Sequence, residues 1–378
     1  MFMKKIEMVD LRGQYQKIQS KVDDSVLKTI NSASFINGPQ VKRFQKHLEK
    51  YLGVKHVIPC ANGTDALQIA LMALELKPGD EVITPDFTYA STIEVILLLG
   101  LTPVLVDINI DTFNIDVSGI KNAITSKTKA IIPVHLFGQV ASMNEILEIA
   151  QENDLFIIED NAQSLGSNFT FKDGSKKKAG TIGHIGTTSF FPSKNLGAYG
   201  DGGAIFTEDD DLAHTLRGIV NHGMYVRYYH DLVGVNSRLD SIQASILDIK
   251  LDYLDDYNNS RCIAASKYNL RFKDQSNIIT PIRVGERDSH VFHQYTLRIL
   301  NRKRDELVKY LNDRNIPCGI YYPVPLHLQK AYKSNRYNQS DYKVTNQVVN
   351  EVISLPMHTE LTDDQLDYIS SHVIKFLN

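Results

Sequence analysis

From residue 54 onward, short β-rich runs alternate with amphipathic stretches, and this alternation restricts the possible fold more than any other feature of the chain. A strand followed by a helix and then another strand builds a parallel sheet that is covered by helices. Strands are predicted over residues 54–60, 81–84, 102–108, 129–135 and 155–159, and helices over 63–76, 91–99 and 143–152. We therefore expect an α/β fold whose mainly parallel sheet is flanked by helices.

The pattern changes in the last third of the chain. Two more strands (185–191 and 203–207) and a helix (209–221) are followed by a long helical pattern over 238–273. Beyond it we predict strands over 293–300 and 318–322, and helices over 304–314 and 363–376. At 378 residues the chain is long enough for about two domains. We predict a large domain over residues 1–250, including an N-terminal helical segment, and a small C-terminal α/β domain over 251–378.

Composition excludes several classes of partner. Lys and Arg total 41 against 44 Asp and Glu, a net charge of −3, so there is no basic field for nucleic acid or an anionic membrane. The apolar runs are far shorter than the ~20 residues of a membrane span. Three distant cysteines, Cys60, Cys262 and Cys318, match neither a disulfide framework nor metal-ligand spacing. We expect a cytoplasmic protein with no nucleic-acid or membrane partner.

Two polar segments point to a covalent cofactor. Lys194 lies in a glycine-rich run, and a lysine in such a loop is usually an ordinary charged residue, but the cluster 159–163 follows a predicted buried strand. A lysine in a protected pocket forms a Schiff base with a carbonyl, and pyridoxal phosphate also requires an acid at its ring nitrogen. Asp160 can be that acid, and Gln163 can hydrogen-bond the ring hydroxyl. The alternative for Asp160 is a turn or a helix cap.

Residues 61–67 offer donors for the cofactor phosphate at a strand-to-helix junction. A helix N-terminus attracts anions, Thr64 adds a hydroxyl, and Ser189 is a second hydroxyl donor. Asn62-Gly63 is also a common turn, and Thr64 an ordinary helix cap. Tyr89, in the run 85–89, can place a ring against a flat cofactor, although core packing explains a single aromatic residue equally well.

Other cofactor motifs are missing from the sequence. No dinucleotide or nucleotide-triphosphate glycine motif occurs, and the glycines of residues 180–186 have the wrong spacing. His290 and His293 are three residues apart, but no third ligand is patterned with them. No metal site is predicted.

Taken together and in order, six blocks of the chain resemble the nucleotide-sugar aminotransferases of the DegT/DnrJ/EryC1/StrS family, which are fold-type-I pyridoxal phosphate enzymes. The resemblance covers nearly the whole length, and the blocks are residues 61–67, 84–89, 158–163, 189–204, 234–240 and 322–327.

The resemblance implies a role for each matching residue. Lys194 would bind the cofactor covalently and later carry a proton, Asp160 would pair with the ring nitrogen, and Gln163 with the ring oxygen. The phosphate would be bound by Gly63, Thr64 and Ser189, and the ring of Tyr89 would stack on the cofactor ring. Asn236 matches a residue that reaches the phosphate from the neighbouring subunit, which implies a homodimer with shared sites, and Arg238 is a further candidate for a cross-subunit contact.

The resemblance also implies a reaction. An amino acid, usually glutamate, gives its amine to a keto group of a nucleotide-linked sugar. The motifs are most similar to those of enzymes acting on UDP-2-acetamido-3-keto sugars, including the glucuronate, for surface polysaccharide or lipopolysaccharide. Tyr321, which stands where such enzymes often have histidine, and Tyr322 are candidate substrate contacts. This departure leaves open whether the sugar carries a carboxylate.

Three alternatives remain at this point. The amine could pass to C4 of a 4-keto-6-deoxy sugar. Relatives with histidine in place of the lysine perform dehydration, which Lys194 argues against. The third is a regulatory protein that has kept the fold without catalysis.

Overall fold

The computed structural model describes residues 4–378, which form both helices and strands. The helices are α1 (Leu11–Ser32), α2 (Pro39–Leu52), α3 (Gly63–Ala73), α4 (Ser91–Leu98), α5 (Val117–Ala123), α6 (Met143–Glu152), α7 (Asp210–Ile219), α8 (Ser241–Leu251), α9 (Leu254–Phe272), α10 (Arg304–Asn312), α11 (Lys343–Val348) and α12 (Asp363–Leu377). The strands are β1 (His56–Cys60), β2 (Glu81–Pro85), β3 (Thr102–Val106), β4 (Thr128–Ile131), β5 (Phe156–Asp160), β6 (Asn168–Thr170), β7 (Lys176–Lys178), β8 (Ile185–Ser189), β9 (Gly203–Thr207), β10 (Met224–Val226), β11 (Tyr229–His230), β12 (Ile278–Ile279), β13 (Tyr295–Ile299) and β14 (Val352–Leu355).

Seven strands form the main sheet, in the order β1-β9-β8-β5-β4-β2-β3. The pairs from β3 to β8 are parallel, and only β9 runs antiparallel to its neighbours β1 and β8. The α/β fold with a mainly parallel sheet is therefore confirmed.

Apolar residues on both faces of each central strand explain why helices cover the sheet on two sides. Val82 and Ile158 point into a core with α3, α4 and α7, while their neighbours Ile83 and Ile157 point into a core with α5 and α6. Successive side chains of a strand face opposite sides, so a continuous apolar run requires cover on both.

The carboxyl ends of β1, β2, β5 and β8 lie at one edge of this sheet. β1 and β8 both run antiparallel to β9 and therefore point the same way. Asp160 is the last residue of β5 and Ser189 the last of β8. The segments that carry the predicted site residues therefore meet at this edge, as expected for an open α/β sheet.

The helix predicted over 238–273 is wrong in one respect, because it is two helices, α8 and α9, with a break after Leu251. The two helices serve different cores. Leu247 and Leu251 of α8 pack beside the main sheet, whereas Tyr268 and Phe272 of α9 pack with the C-terminal sheet β12-β13-β14 and the helices α10 and α12. We propose that the boundary between the two domains lies at this break.

The strand predicted over 318–322 is also wrong. Within this segment the backbone pairs only as an isolated bridge between Gly319 and Ser354. Pro323 and Pro325 follow at once and have no N–H to continue a ladder. Tyr321 and Tyr322 instead line the cavity described below. Within residues 4–378, no helix combines the length and apolar character that crossing a membrane requires.

Candidate active site

A cavity of about 670 Å³ opens at the carboxyl edge of the main sheet and brings together most of the predicted site. Nine predicted residues line it: Gly63, Thr64, Tyr89, Asp160, Gln163, Ser189, Lys194, Tyr321 and Tyr322. Two predicted residues do not. Asn236 is exposed and pairs with Asn221, and Arg238 is half-buried just before α8.

One end of the cavity is built as an anion cradle. Asn62 caps α3 by accepting a hydrogen bond from the Asp65 N–H at 2.8 Å, while the first N–H groups of a helix have no partner within it. A Cβ on Gly63 would lie 2.7 Å from the Ser189 Cβ, so only glycine allows α3 to begin this close to the end of β8. Backbone donors and the Thr64 and Ser189 hydroxyls thus surround a space that suits a phosphate.

Asp160 is a buried carboxylate at the floor of the cavity, with 5% of its surface exposed. Its oxygens accept hydrogen bonds from the Ala162 N–H at 3.1 Å and from the Thr92 hydroxyl at 3.3 Å. Burial raises its pKa, while the Ala162 N–H and the Lys194 charge oppose this. A buried carboxylate is stable when a positive charge pairs with it, and a protonated ring nitrogen would supply that charge.

Lys194 stands on a tight turn after β8. Its N–H donates to the Phe191 carbonyl at 2.8 Å, and the Ala198 N–H donates to the Phe190 carbonyl at 2.8 Å. Loss of hydration lowers the pKa of Lys194 to about 8, and the Asp160 carboxylate opposes this shift. More of the amine is therefore neutral near neutral pH than in an exposed lysine, as a nucleophile or base requires.

Gln163 is held in one orientation. Its Oε1 accepts the Phe137 N–H at 2.8 Å, so its Nε2 must point the other way, where it donates to the Tyr322 hydroxyl at 3.1 Å. An amide nitrogen carries two hydrogens, so one N–H remains for a ligand oxygen. The residue fits the predicted contact to a ring hydroxyl.

Tyr89 and Phe87, two residues apart, have different surroundings. Phe87 is buried against Phe113 and Phe137, whereas Tyr89 is 59% exposed at the cavity, with its ring centre 6.3 Å from that of Tyr322. Only Tyr89 is free to lie against a flat ligand.

Sequence reasoning missed several residues here. Ser237 is buried and accepts the Ala61 N–H at 3.0 Å, which ties the segment before α8 to the phosphate cradle. Thr88 and His293 line the cavity, and neither Thr88 Oγ1 nor His293 Nδ1 has a hydrogen-bond partner among residues 4–378. Burial holds the pKa of His293 well below its usual range, so the ring is neutral. Thr88 and Ser237 lie within the blocks 84–89 and 234–240, and His293 was considered only as a metal ligand, so no local pattern assigned these residues to the cavity.

The two histidines considered as a metal pair are separated in the structure. His293 lines the cavity, while the ring of His290 stacks on Phe292 at 3.8 Å. Among residues 4–378, no three His, Cys, Asp or Glu side chains are grouped as metal ligands.

Comparison with known proteins gives one family over most of the chain. The model of the DegT/DnrJ/EryC1/StrS aminotransferase family matches residues 16–374. UDP-2-acetamido-2-deoxy-3-oxo-D-glucuronate aminotransferase of Pseudomonas aeruginosa is 43% identical, over 94% of this chain and 96% of its own. UDP-N-acetyl-3-dehydro-alpha-D-glucosamine 3-aminotransferase of Acidithiobacillus ferrooxidans is 40% identical, over 99% and 98%. A "pleiotropic regulatory protein" of Geobacillus stearothermophilus is 42% identical, over 98% of both chains.

Solved structures of similar chains have the same fold. A DegT/DnrJ/EryC1/StrS aminotransferase from Brucella abortus superposes with a TM-score of 0.93 at 40% identity, over 99% of this chain and 100% of that one. NtdA from Bacillus subtilis, solved with bound cofactor PMP, superposes with a TM-score of 0.90 at 30% identity, over 100% of this chain and 86% of that one.

Proposed function

The chain belongs to the DegT/DnrJ/EryC1/StrS aminotransferase family of pyridoxal-phosphate-dependent enzymes, and we propose that it moves the amino group of L-glutamate to C3 of a UDP-linked 2-acetamido-3-keto sugar. The observation that carries the proposal is a single cavity that holds Lys194, Asp160, Gln163 and a phosphate cradle. Identities of 43% and 40% to two 3-keto-sugar aminotransferases favour C3 over C4.

The residues of the cavity fit the cofactor group by group. Gly63, Thr64 and Ser189 would hold its phosphate, and the free N–H of Gln163 would donate to its ring oxygen. Asp160 would keep a proton on the ring nitrogen, because a positive partner would stabilise its carboxylate, whose pKa burial raises. When bound, the protonated ring withdraws electrons from the carbon that carries the amino group.

Lys194 performs the proton transfers in this mechanism. Its Nζ, with a pKa lowered to about 8, would move a proton from the α-carbon of glutamate to the cofactor in the first half-reaction, and from the cofactor to the sugar carbon in the second. Asp160 lies close enough to influence the amine and raises its pKa against the effect of burial. The same turn therefore presents one amine both to the cofactor and to the substrate carbons.

We further propose that the enzyme is a homodimer in which Asn236 and Arg238 reach the partner's cavity. An exposed apolar hairpin, β10–β11, supports this, since Tyr228 is 75% exposed and Tyr229 and Val226 are also solvent-facing. Patches of this kind mark protein interfaces. Asn236 follows this hairpin in the chain and is exposed as well.

A cytoplasmic role in making surface polysaccharide or lipopolysaccharide is the setting we propose. Cys60, Cys262 and Cys318 are all unpaired, as in a reducing compartment. The relatives that act on UDP-linked 3-keto sugars support such a substrate here as well.

The test is a substrate screen with the purified, cofactor-loaded protein. Glutamate is supplied with UDP-linked 3-keto-glucosamine, its glucuronate counterpart, or a 4-keto-6-deoxy nucleotide sugar, and NMR locates nitrogen in the product. We expect one 2-oxoglutarate per amino sugar, with nitrogen at C3. Nitrogen at C4 would overturn the C3 assignment, and loss of water without glutamate consumption would indicate a dehydratase. No 2-oxoglutarate from glutamate, together with no change in any of the sugars, would indicate a non-catalytic protein.

A further inference from the structure

A buried carboxylate–imidazole pair joins two distant segments behind one wall of the cavity. Asp86 follows β2 and is 0% exposed, and His327 is 3% exposed. One Asp86 oxygen lies 2.6 Å from His327 Nδ1, and the other accepts the His327 N–H at 2.8 Å. The Leu326 N–H also donates to the Asp86 carbonyl, at 3.1 Å. Three hydrogen bonds thus fasten residues 326–327 to one residue at the edge of the sheet.

The pair is enclosed rather than open to the cavity. The His327 ring stacks on Tyr342 with centres 4.4 Å apart, and His327 Nε2 is buried without a partner among residues 4–378. Leu326 packs in an apolar cluster with Ile93 and Leu105. Neither Asp86 nor His327 lines the cavity, so any effect on the reaction must pass through other residues.

The segments that the pair joins carry the aromatic wall. Phe87 and Tyr89 follow Asp86, while Tyr321 and Tyr322 precede His327. The Tyr322 ring packs 5.8 Å from Phe87 and 6.3 Å from Tyr89. The wall is therefore made by two segments that meet at Tyr322 and are tied together at Asp86.

We propose that Asp86 and His327 are positioning residues that hold Tyr321 and Tyr322 in place for the nucleotide sugar. This inference rests on the proposed function for its substrate. Asp160 ends β5, Lys194 lies on the turn after β8, and the phosphate cradle lies where β8 ends and α3 begins. Gln163 keeps its bond to the Phe137 N–H without Tyr322. Tyr89, the proposed contact to the cofactor ring, is on the Asp86 side of the pair, so the separation applies to His327. His327 therefore acts on the sugar reaction more than on cofactor binding or the glutamate half-reaction.

Two substitutions of similar shape separate positioning from general stability. In His327→Asn the amide nitrogen takes the place of Nδ1 and can still donate to Asp86, whereas His327→Leu has no donor there. Displacement of a binding group by about 1 Å can cost on the order of 10²-fold. We expect His327→Leu to raise the KM for the nucleotide sugar about 10- to 100-fold, and His327→Asn to stay within about threefold.

The glutamate half-reaction is the internal control. Its rate, followed by the absorbance change of loaded enzyme with glutamate alone, should change less than about threefold in both variants. An equal loss in the half-reaction and the sugar reaction would overturn positioning in favour of a general structural role. A half-reaction that fails in the unsubstituted protein would instead count against the proposed function.

Hydrogen exchange tests the inference without the reaction. In cofactor-free protein, the backbone amides of residues 321–328 should exchange faster in His327→Leu than in His327→Asn, while those of β5 and β8 stay unchanged. Asp86→Ala, which removes both carboxylate acceptors of His327, replaces His327→Leu if that variant does not fold. Unchanged exchange and unchanged KM in every folded variant would overturn the proposal.

Discussion

Lys194 and Lys250 are both lysines that burial deprives of hydration, yet only one of them has the surroundings of a catalyst. Burial lowers the pKa of Lys194 to about 8 and that of Lys250 to about 7. Lys194 lines a large cavity with the Asp160 carboxylate nearby, whereas Lys250 on α8 is 1% exposed and donates to the Gly197 carbonyl at 2.5 Å. A lowered pKa therefore marks burial, and reactivity also requires space for a substrate and a charge partner.

The two lysines are also connected. Gly197 lies three residues after Lys194 on the same tight turn, and a Cβ on Gly197 would come within 2.2 Å of the Pro192 carbonyl oxygen. Through its bond to the Gly197 carbonyl, Lys250 thus holds the turn that presents Lys194 to the cavity. The comparison predicts that substitutions of the two lysines have different consequences.

Lys194→Ala should have the largest effect. Without the amine there is neither a covalent bond to the cofactor nor a base for the proton transfers, so transamination should fall at least about 10³-fold. The visible absorbance band of covalently bound pyridoxal phosphate should disappear. Lys250→Met is the matched control and should keep the band, and a wild-type rate in Lys194→Ala would refute the assignment.

Asp160→Asn should have the next largest effect. The amide keeps the shape and the acceptor for the Ala162 N–H but removes the charge, so kcat should fall about 10²-fold while the covalent bond to the cofactor persists. Because the Asp160 carboxylate raises the pKa of Lys194, the variant should have a pKa below about 8 for that amine.

The amine pKa can be measured on cofactor-free protein. The rate at which an acylating reagent modifies Lys194, followed by mass spectrometry across pH, reports the neutral fraction of the amine. Thr92→Val removes a neutral partner of Asp160 and is the control. An unchanged Lys194 profile in Asp160→Asn would mean that the two groups do not interact.

The sequence was most informative where local pattern and topology agree. Asp160 and Ser189 end parallel strands, and such ends meet at one edge of a sheet, so their proximity followed from the strand prediction. The helix N-terminus at Gly63 was equally visible as a strand-to-helix junction. The central part of the site was predictable for this reason.

Pairings between distant segments were not predictable. Lys250 and Gly197 are 53 positions apart, and Asp86 and His327 are 241 apart. In sequence, Lys250 is one more helical residue, and His327 ends the block 322–327, which gives no sign of its partner. The break before α9 arises because packing against a second core overrode the local periodicity. The strand predicted over 318–322 is absent because this segment lines the cavity and runs into Pro323 and Pro325.

Lys250→Met should have the smallest effect on activity and a distinct effect on stability. The turn keeps its bonds to the Phe190 and Phe191 carbonyls, so kcat should stay within about tenfold of wild type. The Gly197 carbonyl loses its donor, which costs on the order of 1–3 kcal/mol. A second effect opposes this cost. In wild type the Lys250 amine is charged in the unfolded state but neutral in the folded state, which favours unfolding, and Lys250→Met removes that effect.

The pH dependence of unfolding reports that last contribution. The pKa of Lys250 is lowered from 10.5 to about 7 on folding, so between these values the unfolded chain binds the extra proton. Stability from this group is therefore gained as pH rises through that window and lost as pH falls, with a slope of up to about 1.4 kcal/mol per pH unit. In cofactor-free protein, Lys194 adds a similar slope. Because wild type and Lys250→Met both contain Lys194, its contribution cancels in the difference between them.

Urea unfolding of cofactor-free wild type and Lys250→Met at several pH values from about 7 to 9.5 measures this difference. We expect the free energy of unfolding to rise more steeply with pH in wild type than in Lys250→Met. Lys172→Met, at a lysine whose side chain is 64% exposed, should keep the wild-type slope. Equal slopes in all three proteins would show that Lys250 stays charged in the folded state. Lys194 and Lys250 would then differ in their charge as well as in their access to substrate.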